Sequence, residues 1–148
     1  MALTAARATS FRKITEDLRP ISANVKAIKG GRVACDADGF YCPATGDATE
    51  VVVDGVFAET VDNTGGLDAA KNVNVRFLRE RTVLLQKNDA GTAVVVADRE
   101  RPGYQLNDET ITGDDTKAFG GVVYDVTSEG VWIEVGSGPR GPQGEPGA

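Results

Sequence analysis

The chain has 148 residues, with 16 Lys and Arg against 22 Asp and Glu for a net charge of −6, and it contains no histidine. A length near the common domain size predicts one domain, able to bury a core without metal or disulfide staples. The missing imidazole excludes Ser-His-Asp and Cys-His nucleophiles and His-ligated zinc, so only carboxylate, Lys or Tyr chemistry stays open to an enzyme.

The charge is uneven along the chain. Residues 1–33 carry seven basic residues against two acidic ones, a net of +5, and the remainder carries nine against twenty, a net of −11. A basic arm (1–30) on an acidic body is expected to seek an anionic surface, whether a protein, a membrane, a nucleic acid or its own body. Phe11 is the one aromatic in the arm, and single-strand binding needs several stacking rings, so nucleic acid is not expected as a partner. Arg7, Arg12, Lys13, Arg19, Lys26 and Lys29 are the candidate contact residues. Arg7, Arg12 and Lys13 also interrupt any apolar leader, which predicts a protein made and used in a cytoplasm. Ser10 can cap a two-turn helix with Phe11, Ile14 and Leu18 on one face, ended by Arg19-Pro20.

From Gly31 onward the pattern is β. Gly31 to Ala37 and Phe40 to Pro43 flank Asp38-Gly39, which reads as a two-residue hairpin turn. Val51 to Phe57 and Val73 to Leu78 alternate at period two. Thr82 to Gln86 and Thr92 to Ala97 enclose Asn88-Asp89-Ala90-Gly91 and predict a second hairpin. Within it lies the longest apolar run, Ala93 to Ala97, far short of the ~20 residues that span a bilayer, so no membrane partner is expected. Asp98 to Lys117 reads as a long surface loop, with a short strand at Gly103 to Leu106. Gly121 to Val126 and Val131 to Val135 form a third hairpin around Thr127 to Gly130. Seven or eight short valine-rich strands predict an all-β domain over 31–137, a small antiparallel β-sandwich or barrel with an extended N-terminal arm.

The segment 138–148 differs in kind. Gly138, Gly141, Gly144 and Gly147 stand at every third position, with Pro139, Pro142 and Pro146 between them. Gly-X-Y with proline is the collagen-like signature, because only glycine fits the axis where three polyproline II chains meet. Fewer than four triplets cannot hold three chains together unaided, so the preceding β-domain is expected to be a homotrimer. The alternative is a flexible Gly/Pro linker.

Few side chains suggest a chemical site. With a two-residue turn, Cys35 and Cys42 face each other within disulfide range; packed thiols in a reducing compartment and a disulfide formed after release both fit. Asp36-Ala37-Asp38-Gly39 lacks the remaining ligands of a calcium loop, and Asp108-Glu109 and Asp114-Asp115 read as solvated surface. No metal, cofactor or catalytic residue is expected. Trp132 shares a strand with Val131, Ile133 and Val135 but faces away from them, toward another subunit, an underlying surface or a second core layer.

Glu50-Val51-Val52-Val53-Asp54-Gly55-Val56-Phe57, Asn72-Val73-Asn74-Val75, Gly120-Gly121-Val122-Val123-Tyr124-Asp125-Val126 and Gly130-Val131-Trp132-Ile133-Glu134-Val135 together resemble the capsid decoration, or cement, proteins of tailed bacteriophages. The resemblance covers roughly residues 30–135 and rests on hydrophobic pattern and turn placement. It implies a non-enzymatic virion protein that sits as a trimer outside the icosahedral shell and braces the major capsid protein. The basic arm would lie on that shell and the collagen-like tail would project outward. The alternative is a receptor-binding or adhesive fibre module with a collagen-like stalk.

Overall fold

The computed structural model describes residues 15–78 and 82–136. Among the described residues the chain is all-β. The strands are β1 (Glu16–Pro20), β2 (Lys26–Ala27), β3 (Arg32–Cys35), β4 (Tyr41–Pro43), β5 (Val51–Phe57), β6 (Val61–Asp62), β7 (Asn72–Phe77), β8 (Thr82–Asn88), β9 (Pro102–Gln105), β10 (Thr110–Thr112), β11 (Ala118–Thr127) and β12 (Gly130–Val135). A 3₁₀ turn at Val96–Asp98 separates β8 from β9.

These strands enclose two cores in place of the single one expected. Residues 15–78 build an antiparallel sheet in the order β1-β7-β5-β3-β4. It curls until Ile21, just past β1, bridges Tyr41 of β4 in parallel. Its core is Ile21, Ala27, Val33, Tyr41, Phe57, Val73 and Val75. Residues 82–136 close into a barrel, β10-β8-β12-β11-β9, in which β8 and β10 are the parallel pair. Val94, Ile111, Val123, Val131, Ile133 and Val135 fill it. Alternation explains both interiors: Val73 and Val75 in β7, and Val131, Ile133 and Val135 in β12, point one way at period two. Five strands enclose little volume, and Gly103 makes room. A Cβ there would come within 2.8 Å of Ile133 Cδ1 and 3.2 Å of Ile111 Cγ2.

Arg32 joins the halves. Its guanidinium is buried, with Nε donating to Val53 O at 2.9 Å, Nη1 to Gln105 Oε1 at 3.3 Å, and Nη2 meeting Asp54 Oδ1 at 3.4 Å. Its backbone N–H donates to Asp108 O at 2.8 Å. Gln105, itself fully buried, exchanges amide hydrogen bonds with Gln86 and donates to Asn107 O at 2.8 Å. Burial lowers the Arg32 pKa to about 10 against the attraction of Asp54, so the side chain stays charged at neutral pH.

Several sequence expectations need correction. Leu18 and Arg19 lie in strand β1, paired with Asn74 and Val73, and not in a helix; Ser10 to Ile14, which would have started that helix, lie outside the described residues. Leu18 is 56% exposed, so the helical spacing marked no buried face. The arm therefore does not extend to residue 30. Ile21 and Ala27 are fully buried and belong to the core of the sheet. The first hairpin has a three-residue loop with Gly39 at φ +87°, the geometry of a type I turn closed by a left-handed residue. Asp36 N donates to Phe40 O, and the Asp36 carboxylate accepts from the Asp38 and Phe40 N–H groups. Thr92 to Ala97 makes no hairpin with β8. The Asn88 side chain takes the place of a strand, donating to Val94 O at 2.8 Å and accepting from Val94 N at 2.9 Å. The short strand expected at Gly103 to Leu106 is β9, Pro102–Gln105, but the rest of residues 98–117 is not one surface loop, because the buried β10 lies within it.

Candidate interaction surface

The basic residues split into two sets. Arg7, Arg12 and Lys13 lie outside the described residues, as do Gly138, Pro139, Gly141, Pro142, Gly144, Pro146 and Gly147. Arg19, Lys26 and Lys29 sit on the sheet half. Arg19 is committed to the fold, since its guanidinium lies 4.8 Å from the centroid of the Tyr41 ring and 3.8 Å from Asp17 Oδ2. Lys26 on β2 and Lys29 just beyond it are exposed, so they remain presentable to an anionic partner. Ile28 between them is 46% exposed.

The roots of the two terminal segments lie close together along one stretch of chain. Thr15 O accepts from Phe77 N at 2.9 Å, and Val135 pairs with Thr82 five residues later. At most about 18 Å of chain separates those two anchoring positions.

The outer side of the barrel is a second surface, which the sequence announced only through Trp132. Cross-strand neighbours share a face, so the register places Leu85, Trp132 and Asp125 in one outward row and Val83, Glu134 and Val122 in the next. Tyr124, at the bulge in β11, is 53% exposed, and Leu85 is also exposed. Trp132 Nε1 donates to Thr127 Oγ1 at 3.3 Å, which satisfies the indole within its own chain. Arg99 Nε and Asp125 Oδ1 meet at 2.9 Å beside this patch. Arg99 contributes with the Val126 N–H to holding the Asp125 carboxyl below its ordinary range, the N–H being the stronger cause.

Cys35 and Cys42 are not opposed. The register pairs Cys35 with Tyr41 and Ala34 with Cys42, one residue away from the expected match, and so puts the thiols on opposite faces. Cys35 packs beside the core of the sheet, whereas Cys42 is buried against Ala34 and Ala44, and both are free thiols. Burial raises the Cys35 pKa and pushes that of Cys42 up to about 12, so neither is an activated nucleophile.

The acidic pairs are occupied locally. Asp114 accepts from the Thr116 hydroxyl and N–H at 2.7 and 3.0 Å, and Glu109 meets Lys87 Nζ at 2.9 Å. The Asp36 carboxylate, the first position of the calcium-like stretch, is taken by Ser22 and its own turn. Among the described residues no three Asp, Glu or Cys side chains converge to hold a metal ion, and no helix is long and apolar enough to cross a membrane. No protein-family model, curated protein or solved structure matches this chain.

Proposed function

We propose that this chain is a structural virion protein, a homotrimeric capsid decoration or cement protein of a tailed bacteriophage that binds the shell exterior and stabilises it. The observation that carries the reading is the join between β12 and the collagen-like tract, since only Gly136 and Ser137 separate Val135 from Gly138. Three such tracts assemble only if their bodies deliver them together. A closed barrel at the root suits that task, because it leaves no strand edge in that half to pair wrongly.

Attachment to the shell is assigned to residues 1–14, where Arg7, Arg12 and Lys13 stand without an acidic residue, aided by the exposed Lys26 and Lys29. The protein carries out no reaction in this reading and acts from the capsid exterior after assembly in the host cytoplasm.

The test is reconstitution. Virions stripped of the protein are mixed with the full chain or with a chain lacking residues 1–14, and then imaged. The full chain is expected to return density at three-fold positions and to raise the temperature at which shells rupture; the shortened chain is expected to bind more weakly. Binding of the full chain should fall with salt, because exposed charges are screened over about 10 Å at 0.1 M. Protein found on tail fibres and absent from the shell would support the adhesive alternative instead.

A further inference from the structure

We propose that the outer face of β8, β12 and β11 is the surface through which copies of this chain meet about a three-fold axis. This rests on the trimeric reading above and adds which residues form the contact. An antiparallel sheet with one solvated face alternates apolar and polar residues. In β8 the run Val83-Leu84-Leu85 is apolar on both sides. Leu84 serves the barrel core, while Val83 and Leu85 join Trp132, Val122 and the exposed Tyr124 outside it, in rows that also carry Glu134 and the Arg99-paired Asp125. The other exposed apolar side chains lie outside these strands, Leu18, Ile28, Val51 and Leu67 on the sheet half and Val95 and Val96 at the 3₁₀ turn.

The tail selects the occupant. Strand β12 ends at Val135, and the three residue steps from there to Gly138 span at most about 11 Å. A triple helix brings its three chains into contact at the glycines, so three copies of the β12 end must gather within that reach of the axis. The strand flanked by this apolar face is therefore the one nearest the axis, and the body that covers the face is another copy of the chain.

Strand order then sets the contact. With β12 nearest the axis, β8 lies on one side and β11 on the other. A three-fold ring joins unlike sides, so Val83 and Leu85 of one copy meet Val122 and Tyr124 of the next, with the β12 residues Trp132 and Glu134 between them. The Trp132 N–H already has its acceptor in Thr127, and burying the ring strands no donor.

Trp132 is the only tryptophan in the chain and reports on this contact directly. Full-length protein is followed by native mass spectrometry, and by tryptophan emission and acrylamide quenching during serial dilution. The expected result is a trimer whose emission shifts to the red and becomes more quenchable as it dissociates. Leu85→Glu and Tyr124→Lys should each raise the dissociation midpoint at least about tenfold, as for central interface residues. Their folding is checked by the far-ultraviolet circular dichroism and melting of the dilute form. Leu67→Glu, at a 78% exposed site on the other half, should leave the midpoint in place. A monomer at every concentration would overturn the trimeric reading and this one with it. A trimer indifferent to both barrel variants, or one that dissociates without a change in Trp132 emission, would overturn only the assignment of the face.

Discussion

The sheet half and the barrel half reach stability by different routes. The sheet is bounded by β1 and β4, and one isolated bridge between Ile21 and Tyr41 brings its margins together. Its core uses large rings, Phe57 and Tyr41, with Arg19 covering Tyr41 from outside. The barrel has no margin, and its core is almost wholly Val and Ile. A closed ladder restrains every strand from two sides, whereas a margin strand is restrained from one. The barrel, which carries the tail, is thus built to stay shut, and the sheet, which carries the exposed Lys26 and Lys29, keeps the freer strands.

The comparison is broken most severely from inside the barrel. Gly103→Val would force a branched side chain toward Ile133, Ile111 and Val123 and is expected to cost about 3 kcal/mol, seen as a lower urea midpoint. A change below about 1 kcal/mol would show that the barrel interior has slack.

Arg32→Ala attacks the join. It leaves Gln105 and the Val53 carbonyl short of a partner and opens a cavity, for an expected loss of about 2 kcal/mol. The loss should fall on coupling as well. Trp132 fluorescence, which reads the barrel, is expected to unfold at a higher temperature than the far-ultraviolet signal of the whole chain. Coincident transitions in the variant would show that other contacts suffice to couple the halves.

Acid should weaken both halves. Asp36 is held below the ordinary carboxylate range chiefly by the Ser22 hydroxyl in the sheet half, and Asp89 by the Gly91 N–H in the barrel half. In each case the native carboxyl binds its proton more weakly than the unfolded one does. Its stabilisation is therefore complete above the unfolded value of about 4 and is lost as pH falls through the lowered native value. Asp108 runs the other way, because burial raises its pKa and acid relieves that penalty. The expected net result is a urea midpoint flat from pH 7 to 5 and falling below 4, with Asp36→Asn flattening part of the fall. A midpoint that rises on acidification would contradict the assignment.

The smallest effect concerns the thiols. At pH 8 iodoacetamide should modify half-exposed Cys35 before buried Cys42, and mild oxidation should yield no internal disulfide by intact-mass measurement. An oxidised monomer two hydrogens lighter would show that the hairpin can slip by one residue.

The sequence made legible what depends on near neighbours. β5, β7 and the β11–β12 hairpin carry unbroken alternation or a tight turn. Trp132 was legible as an outward residue because it alternates with Val131, Ile133 and Val135 along β12. The errors arose where a side chain replaced backbone or where partners were remote. Asp36 recruits two N–H groups and lengthens the first turn, which moves Cys42 away from Cys35. Asn88 satisfies Val94 and removes the need for a hairpin. β1 finds its partner β7 more than fifty residues away, which no local spacing of Leu18 encodes. The β-branched run Thr110-Ile111-Thr112 was a usable sign of β10, hidden by the polar residues around it. The proposals of capsid attachment and trimerisation rest on the basic arm and the glycine period.

The position of β12 also has a mechanical meaning. It is bonded along its length to β8 on one side and β11 on the other, and it is the strand that continues into the tail. Antiparallel bonds lie across the strand direction. Tension arriving from the tail along β12 would shear both ladders at once, with all their bonds sharing the load. The same tension on β1, bonded only to β7 along its length, would be resisted by a single ladder. If the proposed tail carries load, it is rooted on a strand held by two ladders.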